Sequence, residues 1–477
     1  MIELQTRSQE INEHGADWII NGCNIPTELK SFLDDQGRPI GEQEKWIGRV
    51  TCPKVPPMLR KRSQEYFDPK IFSFGPYHHG KPELQEGETL KTKLMLEFIK
   101  ESGKSVPDFY NKVLDMNYDN RACYVDGSTD DYDDNQFAWM MLRDGCSILY
   151  IIDILANNRI EKQSMLVKNH VDILPQITTE MILLENQIPF AVLKLLMSLK
   201  NLRLGSIKRF IYLYFCGILE MAVTGDENEG QASAHLLDRI HEELSKVNYQ
   251  YEMSCHCFNF CETLSRHITQ RYYVSMADFL PSFGSVGELK TTGIRFKPIN
   301  SSFLRSAEIG KSISLRGTEF RSGFLYAELK LPPLFLDRAK IKVYSNLAAF
   351  EWCPPIMVRK LVITSYIGFL NTLIDGPDDV RELRSKRILL CKIVSDEEVV
   401  KMLREISIYG VQTVVFYDGV RKAIEKHYNS KIRTWVAELI YKYFSSPWTA
   451  LGLFAALAVL VLTVVQTFFA IHPVKEK

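Results

Sequence analysis

The chain has no surplus of either charge: 58 lysines and arginines stand against 58 aspartates and glutamates in 477 residues. That balance removes the bulk attraction on which nucleic-acid binders depend. Two local basic clusters, Lys54–Arg62 and Arg381–Arg387, are short and interrupted and read as solvated surface. The N-terminus, MIELQTRSQEINEHGADWIING, lacks a basic start followed by an apolar run, so no secretory leader is visible. Ten cysteines in a chain of this length imply no disulfide framework. The sequon Asn300-Ser301-Ser302 would matter only in a luminal domain. There is no internal repeat and no low-complexity tract.

Familiar catalytic signatures are missing too. No Gly-rich phosphate loop ending in Gly-Lys-Ser/Thr occurs, and no dinucleotide Gly-x-Gly-x-x-Gly. Gly284-Ser285-Val286-Gly287 misses the spacing of a nucleophile elbow. His241-Glu242 opens like a zinc-protease helix, but Ser245 stands where the second histidine ligand belongs. The aspartates of Asp126–Gln136 lack the register of a calcium loop and read as a solvated loop. Cys255, His256, Cys257, Cys261 and His267 have no second ligand cluster and read as packing residues. These readings leave no catalytic residue, metal ligand or cofactor site assigned.

What is present is one long uncharged run, Tyr443 to Ile471. Its apolar part, Trp448 to Ala470, would rise about 34 Å as a helix, enough to cross a hydrocarbon core of roughly 30 Å. Trp448 and Phe468 suit the two interfaces, with Leu460 and Val464 on the span between them. Gly452 and Ala456 form a small face that permits close helix approach. The expectation is a single-pass anchor in the lipid bilayer, with the large domain on the cytosolic side. Lys431, Arg433 and Lys442 before the span support that side over Lys475 and Lys477, which flank Glu476.

The remainder divides into a polar, variable extension (1–47), a helix-rich globular domain (48–442), the membrane region (443–471) and a short tail (472–477). Prolines between Val50 and Pro57 favour extended chain. Leu90, Leu94 and Phe98, widened by Met95 and Ile99, mark an amphipathic helix. Phe137–Ala156 reads as a buried helix, Pro189–Leu199 and Phe210–Val223 as further helices, and Leu236, Ile240 and Leu244 as one face of another. Between about 293 and 336 the texture turns to short β-type runs: Ile294–Phe296, Ile313–Leu315 and Phe324–Leu331. Helical periodicity returns from Val343 and through Glu397–Ile406. The fold class is α+β, predominantly helical, with a small sheet or hairpin region and one C-terminal transmembrane helix.

Two polar motifs interrupt the apolar pattern. His78 and His79 lie in Phe74-Gly75-Pro76-Tyr77-His78-His79-Gly80, where two imidazoles in a rigid turn could move protons or bind metal, or simply cap neighbouring backbone. Glu185, Asn186 and Gln187 sit among apolar residues before Pro189, where buried polar side chains fixing a helix junction are the simpler explanation.

Taken in order, several segments resemble the plant family called domain of unknown function 247. They are Val55-Pro56-Pro57-Met58-Leu59-Arg60 with Tyr66 and Pro69, Ser73 through Gly80, and Cys123-Tyr124. Met140 with Asp144-Gly145-Cys146, Leu183 through Phe190, and His235-Leu236-Leu237-Asp238 continue the series. Glu288-Leu289 with Thr292 through Phe296, Asn346 through Glu351, Ser395 through Val399 and Ser446-Pro447-Trp448-Thr449 complete it. The resemblance covers about residues 48–471. It departs at Ile71-Phe72-Ser73-Phe74, where the family has a Val-Ser-Ile stretch, and at Ser147, where it tends to have Phe. The resemblance implies a C-terminal membrane span, no established enzymatic activity and no catalytic residues to transfer. Some grass members are linked to pollen–stigma self-incompatibility, a role not carried over to this chain. Gly75, Pro76, His78, His79, Gly80, Asp144, Gly145, Glu185, Asn186, Gln187 and Pro189 are thus motif positions without assigned role.

Two functions remain in view. One is a membrane-anchored interaction, recognition or signalling protein with a protein partner and a possible homo-oligomer through its membrane helix. The other is a membrane-tethered, hydrolase-like enzyme built on His78, His79, Glu185 and Asn186, which requires those groups to converge on one pocket.

Overall fold

The computed structural model describes residues 19–20, 23–24, 51–157, 170–216, 233–246, 284–299, 314–323, 326–353, 361–391, 394–407, 417–430 and 447–471. The chain divides into two units, residues 1–51 and 52–477. In the first, strands β1 (Ile19–Ile20) and β2 (Cys23–Asn24) pair antiparallel, with Ile19 opposite Asn24.

The second unit opens extended, as its prolines dictate, and Cys52 bridges in parallel to Tyr124. Helix α1 (Pro57–Arg62) starts on a proline, whose missing N–H is one of the groups a first turn leaves unpaired anyway. Then come α2 (Gln85–Ser102), α3 (Val106–Leu114), α4 (Asn117–Arg121) and α5 (Asp134–Ala156). At the start of α5, Asp133 and Gln136 exchange bonds: each backbone N–H donates to the other's side chain, at 3.0 and 2.8 Å. Next are α6 (Leu174–Glu180), α7 (Phe190–Lys200), α8 (Gly205–Cys216), α9 (Leu236–Ser245) and α10 (Val286–Thr291). Helix α5 is apolar on nearly every side, and a helix of that kind has to be surrounded. Helices α2, α3, α7 and α8 all pack on it. Gly145 lets α7 come close: a Cβ there would stand 2.4 Å from Leu196 Cδ1.

A three-stranded sheet follows, β3 (Ile294–Pro298), β4 (Glu319–Ser322) and β5 (Ala327–Leu331), in the order β3-β5-β4. Leu329 faces Phe296 in the parallel pair and Phe320 in the antiparallel one. Along β5, Ala327, Leu329 and Leu331 are buried while Glu328 and Lys330 are half-buried, the period of two that covers one face. Strand β6 (Leu334–Leu336) leads into α11 (Arg338–Glu351), α12 (Val362–Leu373) and α13 (Pro377–Ser385), and β7 (Leu389–Cys391) returns parallel to β6. Helices α14 (Asp396–Ser407), α15 (Asp418–Tyr428) and α16 (Pro447–Ile471) complete the described elements.

The architecture is the predominantly helical α+β class, with a small sheet and an apolar C-terminal helix. Several details differ from the sequence reading, among them that α5 begins at Asp134, inside the run read as a loop, and that β4 forms where no strand was expected. Ser314 and Leu315 form no strand; the Leu315 N–H donates instead to the Leu244 carbonyl at the end of α9, 2.9 Å away. Helix α11 begins at Arg338 rather than Val343, because Asp337 accepts from the N–H groups of Ala339 and Lys340 at 2.9 and 2.8 Å. Its polar first turn hides the apolar period. Helix α8 covers the first part of the expected Phe210–Val223 helix, and 217–223 lie outside the described residues.

Candidate functional site

The α6–α7 junction, Met181 to Pro189, has too few backbone partners of its own, and buried amides cannot be left unpaired. Its polar side chains meet that demand. Gln187 Nε2 donates to the carbonyls of Met181 and Leu183 at 2.9 and 2.7 Å, and its Oε1 accepts from the Leu237 N–H at 3.0 Å. Asn186 Nδ2 donates to the Phe72 and Glu180 carbonyls, both at 2.9 Å, while Oδ1 accepts from the Phe74 N–H at 2.7 Å. The Glu180 carboxylate collects the N–H groups of Lys70, Ile71 and Phe72. The strand-like chain 70–75 is therefore sewn onto the junction by two side chains more than 100 residues away. On the far side, Asn346 of α11 accepts from the Leu184 N–H at 2.7 Å and donates to the Tyr66 carbonyl at 2.8 Å.

The Gly-Pro-Tyr-His-His-Gly turn lies on this seam. Gly75 donates its N–H to Asp144 at 2.8 Å, and Asp144 is paired with Lys91 Nζ at 2.5 Å, both side chains fully buried. Lys91 also contacts Glu88 at 2.8 Å and donates to the Ser73 carbonyl. Glu88 accepts from Ser73 Oγ at 2.7 Å and pairs with Arg143 at 2.5 Å. Burial works to raise the Glu88 carboxyl, but Lys91 and Arg143 outweigh it and hold it below its ordinary value. His79 lies beside this cluster, 3.6 Å from Glu88, with its ring edge-on to Tyr132. Burial pushes its pKa down, against the pull of Asp144 and Glu88.

His78 faces the other way. Lys81 Nζ is 2.9 Å from its Nδ1, and an ammonium can only donate, so Nδ1 accepts and Nε2 carries the proton. Nε2 points at Glu185 from 3.5 Å. Burial, reinforced by Lys81, lowers His78 to about 4. Glu185 accepts from the Val55 N–H at 2.7 Å and pairs with Arg60, which also holds Asp68 at 2.6 Å. Burial raises the Glu185 carboxyl, with Arg60 opposing.

All eleven motif positions thus lie along one seam or on the helices flanking it. Gly75, Pro76, His78, Asp144, Gly145, Glu185, Asn186, Gln187 and Pro189 are buried, His79 is partly buried and Gly80 is exposed. The imidazoles do not cap backbone: His78 lies between a lysine and a glutamate, and His79 beside Glu88. The sequence reading gave no role to Glu88, Lys91, Arg143 or Glu180, and it placed Arg60 in a basic cluster read as solvated surface, whereas Arg60 is part-buried and paired with Asp68 and Glu185. Lys91 had a visible signal, a charge on the same helical stripe as Leu94, Met95 and Phe98. Glu180 had a weaker one, directly before Met181-Ile182-Leu183-Leu184. Elsewhere, His241 Nε2 meets Glu351 at 2.8 Å rather than a second histidine. Among the described residues no group of three or more His, Cys, Asp or Glu is placed to hold a metal ion. Cys255, Cys257, Cys261 and His267 lie outside the described residues.

Trp448, Gly452, Ala456, Leu460, Val464 and Phe468 all lie on α16 and are all exposed. The stretch Leu451–Phe468 has a mean hydropathy of 2.3 and none of it is buried. At 25 residues, α16 is long and apolar enough to cross a membrane. Two of its hydroxyls are satisfied internally: Thr463 and Thr467 donate to the carbonyls of Val459 and Thr463, each at 2.8 Å.

Comparison with known proteins gives three findings. The model of a family described as plant protein of unknown function, DUF247, matches residues 52–462. The chain is 26% identical over 446 residues to UPF0481 protein At3g47200 of Arabidopsis thaliana, covering 89% of this chain and 87% of that one. It is 23% identical over an alignment of 533 positions to UPF0481 protein At3g02645 of the same plant, covering 94% of each. No solved structure matches the chain.

Proposed function

The chain belongs to the DUF247 family of plant proteins of unknown function, and from that premise we propose that it is a membrane-anchored recognition or signalling component. It presents the helical domain to a protein partner. The observation that carries the reading is α16: a 25-residue helix whose apolar window buries nothing against the domain has a bilayer as its natural solvent. The polar seam supports the same reading, because its charges are occupied in joining chain segments: Glu185 by Val55 and Arg60, Asp144 by Gly75 and Lys91. Within this proposal the domain is cytosolic, the anchor works without a cofactor, and Gly452 and Ala456 offer a contact to a second copy.

A second reading, a membrane-tethered hydrolase-like enzyme, draws on the 3.5 Å approach of His78 to Glu185. Against it, both nitrogens of His78 already face charged neighbours, and a general base needs an accessible proton to take.

The test is proximity labelling from the intact, anchored protein, with a version ending before Pro447 as comparison. Anchored protein should sediment with membranes and label a restricted set of neighbours that the shortened version does not. Recovery of both in the soluble fraction with the same neighbours would refute the anchor.

A further inference from the structure

The N-terminal end of α5 carries a surface that neither the seam nor the anchor uses. Trp139 is 42% exposed, and its ring lies against Tyr110 of α3 with centroids 4.8 Å apart and planes at 32°. Tyr110 is locked in place by donating to Asn135 Oδ1 at 2.8 Å. Helix α4 is fastened alongside, where Asn117 Nδ2 donates to the Asp134 carbonyl at 2.6 Å, and the next residue, Tyr118, is 82% exposed. A stacked aromatic pair that stays open to water on a packed scaffold is what an interface anchor looks like before a partner arrives.

Charge selects the occupant. Between Val106 and Trp139 eight aspartates stand against Lys112 and Arg121, a net charge of −6 in a chain whose total is zero. Arg121 is engaged inward: it donates to the Thr129 and Tyr132 carbonyls at 2.8 Å, pairs with Asp134 at 3.2 Å and covers the Phe137 ring at 4.5 Å. Asp115, Asp119, Asp126, Asp130 and Asp131 are exposed and form no ion pair among the described residues. Ring faces attract cations through their quadrupole, and unpaired carboxylates attract them through charge. Both features therefore ask for the same ligand. An anionic phospholipid headgroup or a nucleic acid would be repelled.

We propose that the stacked Tyr110 and Trp139, with Tyr118 on the adjoining helix α4, dock an arginine- or lysine-bearing segment of a partner protein, its cations against the rings and drawn by the aspartates of the same stretch of chain. This deepens the recognition reading above and rests on it.

The test uses the full chain in micelles of an uncharged detergent. The probe is a fluorescein-labelled peptide of alternating arginine and serine, with its glutamate counterpart as control, read by anisotropy at low and high salt. The arginine peptide should bind, more weakly as salt rises, and the glutamate peptide should not. Trp139→Ala should weaken binding about tenfold, and Trp139→Phe should recover part of it. Met58→Ala, at a side chain 84% exposed on α1, should change nothing. The thermal midpoint of each variant reports whether it folds, and Tyr118→Ala, at a side chain 82% exposed, gives a reading that a folding defect at Trp139 cannot spoil. Binding that ignores both Trp139→Ala and Tyr118→Ala, or equal binding of the two peptides, overturns the assignment. Neighbour labelling decides the recognition reading separately. If the anchored protein labels the same neighbours with and without Trp139→Ala, that reading stands and this surface is wrong.

Discussion

Gly75 approaches the Gln187 carbonyl so closely that a Cβ on it would stand 2.6 Å from that oxygen, and its φ is +74°. Two costs therefore fall on one substitution, left-handed backbone and a clash with main chain that cannot rotate away. Gly75→Ala should destabilise the domain by about 3 kcal/mol. Gly80→Ala has a φ of +81° but nothing within 4 Å, so it should cost only about 1 kcal/mol. Denaturant unfolding of both variants in detergent checks the difference. Equal losses would mean that the contact with Gln187 does not matter.

Lys91 and Asp144 form a fully buried ion pair at 2.5 Å. Removing one partner strands the other charge in a low dielectric. Lys91→Met should therefore destabilise by about 3–5 kcal/mol. Adding Asp144→Asn removes the stranded charge yet keeps an acceptor for the Gly75 N–H. The double variant should be more stable than Lys91→Met alone, an order that additive effects cannot produce when Asp144→Asn by itself destabilises. A loss in the double variant equal to the sum of the losses in Lys91→Met and Asp144→Asn alone would show that the pair is not coupled.

How much of this was legible beforehand depended on the range over which each residue finds its partner. The apolar period of α2 and α5 marks helix and burial together, because neighbours three and four residues apart decide both. Glu185, Asn186 and Gln187 stood out because a polar trio inside an apolar run must have partners. Which partners they would find was not legible, since Val55 and Phe72 lie 130 and 114 residues away. Glu180 escaped notice for the same reason. One acidic residue at a helix end looks like surface until three N–H groups from 70–72 are seen converging on it. The short strand expected at 313–315 failed because three β-type residues specify neither a partner nor a register.

Stability should fall in mild acid through buried histidine. Burial lowers both His78 and His235 to about 4, whereas an unfolded imidazole titrates at 6.5. Between those values the unfolded chain binds protons that the folded chain refuses, so stability is full above pH 6.5 and drains as the pH falls towards 4. The loss tends to about 3 kcal/mol for each group. Glu185, whose carboxyl is raised, takes its proton first in the folded state and opposes part of this loss. His78→Gln should flatten the dependence over that window by about one proton, or roughly 1.4 kcal/mol per pH unit. An unchanged slope in this variant would assign the sensitivity elsewhere.

The exposed apolar face of α16 makes a prediction that separates a bilayer span from an ordinary surface helix. Leu460 and Val464 are 61% exposed and sit in the middle of the hydropathic stretch. If lipid surrounds them, arginine at either position costs about 3 kcal/mol of insertion. If water surrounds them, arginine is harmless or even improves solubility. Leu460→Arg with Val464→Arg should therefore move the protein from the membrane pellet to the supernatant after alkaline carbonate extraction. Gly452→Ile with Ala456→Ile should leave it in the pellet while reducing cross-linked oligomers, because bulk on that face keeps two helices apart without making them polar. Retention of the arginine variant in the pellet would mean that something other than α16 holds the chain there.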